Sequence, residues 1–274
     1  MAERLRSGLQ IRVPRFESGS GLHSFSNLIK YTAGKFAAVA CACIAAAALT
    51  AYKRPQAVIT KGSGRMDYFT ARQHMVESQV RVNDVTDPAL QKAMRHIERE
   101  RLVAPSQAFA AYAEVEAQIA PERALMRPRD IAKLLHTLKP EAGQKVLALA
   151  APYAAAVLAH AGLKVTAQEG DARAASVVGP YLNELGVKTV VQDLHIPADG
   201  SYDLIITEGA VTEVPESWTE ALAMGGRLAV VVRISAIGKA KLYTRVASGV
   251  SDADVFDSSP SILSGFEARP AFVF

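Results

Sequence analysis

One loop and two acidic residues in the second half of the chain have the spacing of a nucleotide-type ligand site. The apolar run Lys145–Ala150 predicts a buried strand, and the loop Leu149–Ala154 follows it. In open α/β sheets the ligand lies beyond the carboxyl ends of the strands, and an acid about 20 positions further on commonly binds the ribose hydroxyls. Glu169 comes nineteen residues after Ala150, and Asp193 follows the next predicted strand. The pattern predicts a cleft in which Glu169 lies at a ribose and Asp193 lies at the same edge of the sheet.

The segments around these residues alternate between helical and strand patterns. The clearest helix is Ala174–Leu185, whose apolar residues recur with the 3.6-residue period and which Gly186 is placed to end. Short β-branched runs between helices predict a doubly wound, mainly parallel sheet of Rossmann-like α/β type. The other predicted helices are Pro128–Leu138, Ala154–His160 and Trp218–Ala223, and the other predicted strands are Lys164–Glu169, Lys188–Gln192 and Tyr202–Thr207 (both as central strands), Arg227–Val232, Ala240–Val246 and Ala271–Phe274.

Composition divides the chain near residue 65. Residues 1–65 carry ten Lys or Arg against two Glu, and they include the weak apolar segment 36–52, which contains no charged residue. This segment is at the lower limit of length for a membrane span and is mostly alanine, so a membrane anchor, a surface-lying helix and a partner-bound helix stay open. We predict a basic extension over 1–65 and one domain over 66–274, with a helical cap at 67–127, without strands, and a Rossmann-like core at 128–274.

Two classes of function are excluded by the charge and the cysteine content. Removing the +8 of residues 1–65 leaves residues 66–274 at about −4, which cannot supply the basic face that nucleic-acid binding requires. The only cysteines, Cys41 and Cys43, lie two positions apart with no further cysteine or paired histidine near them. A metal site and a disulfide framework are therefore not predicted.

Several motifs along residues 66–274 carry a resemblance to a known family. They are Met75–Asp87 (MVESQVRVNDVTD), Tyr202–Val211 (YDLIITEGAV) followed by Val214-Pro215, Gly225–Leu228 (GGRL) and Pro270–Phe274 (PAFVF). In this order they resemble the protein-L-isoaspartate O-methyltransferases, in the form found in many α-proteobacteria. The resemblance implies a class I fold that binds S-adenosyl-L-methionine (SAM) and methylates isoaspartyl carboxylates of damaged proteins. It implies a cofactor site at Ala148, Ala150, Tyr153, Glu169, Asp193 and Glu208, with no metal and no assigned catalytic residue.

The cofactor loop departs from the family pattern Val-Leu-Asp-x-Gly-x-Gly-x-Gly-Tyr. This chain has Val146–Tyr153 (VLALAAPY), which is two residues shorter and contains no glycine. Ala148 replaces the acid at the strand end, and Ala150 and Pro152 replace glycines that admit a ligand against bare backbone. A second departure is Met126, which stands where the family has Ser or Thr before Gln-Pro. The sequence therefore makes SAM binding doubtful.

Three functions remain open after these departures. The first is methylation of isoaspartyl-containing proteins by an enzyme with an unusual SAM site, whose activity is impaired or lost, as in a pseudoenzyme, where the glycine-free loop fails to hold SAM. The second is a non-catalytic accessory or structural subunit of a larger complex, such as a membrane-associated respiratory assembly, with a protein as its partner. The third is a different ligand in the reshaped cleft. The expected location is the cytoplasm, with membrane contact through residues 36–52.

Overall fold

The apolar runs after residue 144 form one seven-stranded sheet in the computed structural model, which describes residues 67–268. The strand order across the sheet is β5-β4-β3-β6-β7-β8-β9. The pairs among β5, β4, β3, β6 and β7 are parallel, and β8 and β9 are antiparallel additions at one end. The strands are β3 Lys145–Leu149, β4 Lys164–Glu169, β5 Lys188–Val191, β6 Tyr202–Val211, β7 Leu222–Val232, β8 Lys239–Val246 and β9 Gly249–Asp257.

Six α-helices surround this sheet within the described residues. The first residues of five of them show why they begin where they do. Proline occupies the first turn of three helices, and Asp67, Asp87 and Asp171 cap three through their side chains, the helix that begins at Pro88 having both features. The helices are α1 Tyr68–Met75, α2 Pro88–His96, α3 Pro128–Leu138, α4 Pro152–His160, α5 Ala172–Glu184 and α6 Glu216–Glu220. Short 3₁₀ segments at Arg81–Asn83, Arg99–Leu102 and Pro105–Ala110, and a π turn at Val76–Val80, complete the helical part.

Most predicted elements are confirmed to within a few residues, including the α/β class and the mainly parallel sheet. Gly186 has the positive φ of +73° that ends a helix in the left-handed conformation. Three expectations were wrong. The strand predicted at Lys188–Gln192 as central is the sheet edge β5, the segment 67–127 contains the hairpin β1 Ala117–Ala120 and β2 Arg123–Leu125, and β9 was missed. The predicted strand Ala271–Phe274 and the segment 1–65 lie outside the described residues.

The two faces of the sheet are buried in two apolar clusters because alternate residues of a strand point to opposite faces. Val146 and Ala148 of β3 face α3, α4 and α5, whereas Leu147 and Leu149 face the cluster around Trp218 of α6. The chain runs outward from β3 through β4 to β5 and then returns to β6 on the other side of β3. This reversal opens a crevice at the carboxyl ends of β3 and β6, where ligands bind in open α/β sheets. No helix in the described part of the chain is long and apolar enough to cross a membrane.

Candidate functional site

A cleft of about 580 Å³ lies at the carboxyl ends of the parallel strands. The turn of the β1–β2 hairpin forms one wall, and the residues that follow β4 and β5 form the floor. The segment Leu263–Phe266 closes the other side. Glu169, Asp193 and Arg123 all line this cleft, so the two acids predicted from spacing do meet at one place.

The loop between β3 and α4 is fully buried and tightly held. Ala150 has a φ of +47°, a left-handed conformation that costs a non-glycine residue about 1 to 2 kcal/mol. Its N–H donates to the carbonyl of Gln168 at 2.7 Å, and Pro152 begins α4 two residues later. The loop thus keeps a backbone shape that suits glycine, although the side chain present is a methyl group.

Replacing Ala150 with glycine is expected to raise the free energy of unfolding by roughly 0.5 kcal/mol, because glycine adopts a positive φ without strain. The matched control is Ala155→Gly inside α4, where the same change should cost about 1 kcal/mol or more. Urea denaturation of both variants measures the difference. Equal losses in the two variants would show that the backbone at Ala150 is not strained.

Arg123, at the start of β2, extends its guanidinium group across the loop and is only 6% exposed. Its Nε lies 3.2 Å from Oε2 of Glu169, and its Nη2 donates to the carbonyl of Ala150. Its Nη1 donates to the carbonyl of Glu208 at 3.3 Å and also to that of Ala124. The buried guanidinium of Arg123 therefore contacts the loop, Glu169 at the end of β4 and the backbone of Glu208 in β6.

A second polar group lies beneath the loop and consists of Arg99, Tyr153 and Glu208, none of which is exposed. Glu208 Oε1 accepts the N–H of Ala154 at 2.7 Å, in the first turn of α4. The guanidinium of Arg99 lies 4.5 Å from the ring centre of Tyr153 and donates to the carbonyls of Ala111 and Met126. Burial raises the pKa values of Glu208 and Tyr153 and lowers that of Arg99.

The raised pKa of Glu208 predicts a pH-dependent stability. Because the folded state holds this proton to higher pH than the unfolded state, the contribution of Glu208 to stability falls as the pH rises above about 4.5. The variant Glu208→Gln lacks this contribution, so the difference in unfolding free energy between the native chain and the variant should decrease with pH. Thermal unfolding of both proteins from pH 4 to pH 8 measures it. A difference that is independent of pH would contradict the expectation.

Asp193 lies in the loop after β5 and is largely exposed. Its carboxylate accepts the backbone N–H of His195 at 2.9 Å and lies 3.0 Å from the ring Nδ1, contacts that lower its pKa. The ring of His195 stacks on Phe266 with 4.1 Å between the centroids. Asp193 therefore has a local partner and also borders the open cleft.

A comparison with known proteins identifies the family. The model of the family described as protein-L-isoaspartate(D-aspartate) O-methyltransferase (PCMT) matches residues 70–256. The chain belongs to this family. The PCMT relatives include the protein-L-isoaspartate O-methyltransferase of Methylorubrum populi, 34% identical over 168 residues that cover 59% of this chain and 79% of the relative. That of Syntrophotalea carbinolica is 30% identical over 205 residues, covering 70% and 92%.

Solved PCMT structures share the fold. One protein-L-isoaspartate O-methyltransferase superposes with a TM-score of 0.59 at 20% identity, covering 72% of this chain and 65% of the other. A putative enzyme of this name from Plasmodium falciparum, in complex with S-adenosyl-L-homocysteine, gives a TM-score of 0.59 at 15% identity over 70% and 98% of the chains. These likenesses agree with the class I methyltransferase fold that the sequence predicted.

The residues that the PCMT resemblance assigned to the cofactor divide into two groups. Glu169 and Asp193 line the cleft, as expected from their spacing. The other four lie beneath it and are completely buried. Ala148 packs in the core on the helix side of β3, and Ala150 is covered by Arg123. The buried set is Ala148, Ala150, Tyr153 and Glu208.

Arg123 and Arg99 were missed in the sequence of this PCMT protein. Both lie in the segment 67–127, where we expected helices only, and neither belongs to the motifs quoted above. The hairpin around Arg123 did leave a signal, since two short apolar runs flank Pro121-Glu122 at the two-residue spacing of a hairpin. The burial of Arg99 left none, because its neighbours Glu98, Glu100 and Arg101 suggest a solvated segment.

Proposed function

We propose that methyl transfer from SAM to isoaspartyl carboxylates, the reaction for which the family is named, is impaired or lost in this chain. The observation that carries this proposal is the position of Arg123. Its guanidinium contacts the loop carbonyl of Ala150 and pairs with Glu169 at 3.2 Å, while only 6% of the residue is exposed. The acid expected to bind the ribose therefore already has a partner within the chain.

Charge supports the same conclusion. SAM carries a sulfonium cation, and bringing it near a buried guanidinium costs free energy unless an acid offsets the repulsion. Ala148 stands where the family pattern has an acid, and its side chain points into the apolar core on the helix side of β3. Glu169 is committed to Arg123. The residues present here do not fit a cationic cofactor.

The N-terminus of α4 is also occupied by the chain itself. Helix N-termini at such loops attract anionic groups of ligands through their free N–H groups. In this chain Pro152 has no N–H, and the N–H of Ala154 donates to Glu208 Oε1 at 2.7 Å. The carboxylate of Glu208 in β6 thus binds the N–H group that a ligand would otherwise use.

A retained methyltransferase activity is the second candidate, and one observation favours it. The part of the cleft beside Asp193 stays open, with a volume of about 580 Å³ for the whole cleft. A cofactor could enter there if the β1–β2 hairpin withdrew Arg123. This candidate requires breaking the buried pair with Glu169, which is costly.

Isothermal titration with SAM separates the two candidates, and a methanol-release assay with an isoaspartyl peptide tests the reaction itself. We expect no binding heat at 1 mM SAM and no product. The matched control is the relative from Methylorubrum populi, assayed under the same conditions. Saturable binding of SAM with peptide methylation in this chain would overturn the proposal.

A non-catalytic member of the family would act by binding. We propose a role as an accessory or structural subunit of a larger protein complex, which is supported by the well-formed core beside a cofactor loop that Arg123 contacts. Such a subunit should co-purify with its complex and should not gain thermal stability from SAM. The cytoplasmic location, membrane contact through residues 36–52 and the division at residue 65 stay predictions.

A further inference from the structure

Within residues 67–268, the edge strand β5 leaves two side chains uncovered on the helix side of the sheet. In the register of β4 and β5, Thr189 pairs with Ala167 and Val191 pairs with Glu169, so Thr189 and Val191 share the face on which Ala167 joins the core. Doubly wound sheets normally cover this face with helices. Here Val191 is 57% exposed and Thr189 is also exposed.

Thr189 and Val191 stay uncovered because α5 is held by hydrogen bonds and an ion pair to the segment 67–127 and has small residues opposite β5. The hydroxyl of Tyr181 accepts the N–H of Glu98 at 2.8 Å, and Arg101 pairs with Glu184 at 2.7 Å while lying over the ring of Tyr181. A groove of about 330 Å³ remains between α5 and β5. Its walls include Ala175, Gly179, Leu182, Thr189 and Val191.

The groove has a mainly apolar lining with a few hydrogen-bonding groups. Among the described residues that line it, Glu169 is the only charged one, and it is paired with Arg123. Pro180 interrupts the hydrogen bonding of α5, since it has no N–H to donate to the carbonyl of Ser176. The groove therefore favours an apolar, uncharged occupant with backbone-like polar groups.

The backbone of β5 presents free hydrogen-bonding groups along the same groove. The N–H of Gln192 donates to the carbonyl of Glu169 in β4 at 3.1 Å. Because successive residues of a strand direct their N–H and C=O groups to opposite sides, those of Thr189 and Val191 point away from β4. β5 is the last strand of the described sheet on this side. An open strand edge beside an apolar groove is the arrangement that accepts an added peptide strand.

We propose that an extended, uncharged peptide segment of a partner protein adds to β5 as a further strand and places alternate apolar side chains in this groove. Main-chain hydrogen bonds to Thr189 and Val191 would supply affinity, and the groove would select small aliphatic side chains. The proposal does not depend on the state of the cofactor cleft, so it stands or falls separately from the loss of methyl transfer.

Size and charge favour a peptide over other occupants. A helix is about 10 Å across and does not fit a groove of 330 Å³. A second copy paired through the four residues of β5 would bury far less than the roughly 800 Å² per partner of a stable dimer. The opposite edge, β9, exposes Asp252, Asp254 and Asp257, which discourage strand addition there.

The test is an NMR titration of the full chain with an acetylated and amidated five-residue peptide that alternates valine with serine. We expect the amide signals of Thr189 and Val191 to shift in a saturable manner. Val191→Pro, which removes the outward N–H, should weaken binding about tenfold, whereas Val191→Ala should keep the hydrogen bond and retain most of the affinity.

A second pair of variants tests the groove itself. A Cβ at Gly179 would meet nothing within 4 Å, so Gly179→Leu can direct a larger apolar side chain towards the groove and should abolish peptide binding. Gly179→Ala adds only a methyl group and should bind nearly normally. Absence of shifts at several millimolar peptide, shifts elsewhere only, or binding unaffected by both Val191→Pro and Gly179→Leu would overturn the proposal. So would a dimer in light scattering that Val191→Pro dissolves, since the occupant would then be a second copy.

Discussion

Replacing Arg123 with methionine is expected to lower the free energy of unfolding by about 3 to 5 kcal/mol. Methionine retains much of the apolar volume, so the loss reports mainly the charge that is removed. The substitution leaves Glu169 buried without its cationic partner, and the carbonyls of Ala150 and Glu208 each lose a hydrogen-bond donor. Urea denaturation, monitored by the fluorescence of Trp218, measures the change.

The control is the double variant Arg123→Met/Glu169→Leu, which replaces the buried ion pair by apolar groups of similar size. Such replacements are often neutral or stabilising, so the double variant should recover most of the loss. The exposed ion pair of Arg81 with Glu77 serves for comparison. Breaking it with Arg81→Met should lower the free energy of unfolding by less than 1 kcal/mol. A similarly small cost for Arg123→Met would show that Arg123 is not held as the structure describes.

Replacing Gly209 with alanine is expected to cost roughly 3 kcal/mol of folding free energy. Gly209 lies in β6 next to Glu208 and has a φ of +146°, which only glycine adopts readily. An added Cβ would lie 2.5 Å from Cδ2 and 2.7 Å from Cγ of Leu263. Leu263 cannot simply move away, because its N–H donates to the carbonyl of Ala210 at 2.8 Å.

Two further variants separate the clash from the backbone strain at Gly209. In a Leu263→Ala background the clash disappears, so the additional cost of Gly209→Ala should fall to the strain alone, about 1 to 2 kcal/mol. Gly179→Ala serves as a glycine control, since the space around it is open. Thermal and urea denaturation of the native chain, the two single variants, their double variant and Gly179→Ala measure these costs. An unchanged cost in the Leu263→Ala background would contradict the assigned contact.

We propose that a local change in the cleft separates the family's fold from its methyl-transfer activity. The core that positions β3, β4 and β6 is complete, and family membership follows from residues spread over the whole domain. The departures from the family pattern are Met126 and the loop between β3 and α4, which Arg123 and Glu208 contact.

The sequence could predict elements whose cause is local. The period of α5, the left-handed Gly186 and the apolar runs of β3, β4 and β6 depend on neighbours in the chain, and the structure has them where expected. The spacing of Glu169 and Asp193 followed from the parallel order of the strands, because parallel strands end at one edge. The missing glycines and the family motifs could also be found from the residues alone.

The tertiary structure decided which side chains contact the cofactor loop, because these contacts join segments that are distant in the chain. Arg123 reaches Glu169, 46 residues away, and Glu208, 85 residues away, through a hairpin that lacks a strong turn signal. The burial of Arg99 and the exposed position of β5 likewise depend on the order of strands and on where α5 is bonded. Local propensities do not encode such long-range pairings. The sequence therefore determined the fold and the altered loop, whereas only packing placed the guanidinium of Arg123 against that loop and Glu169.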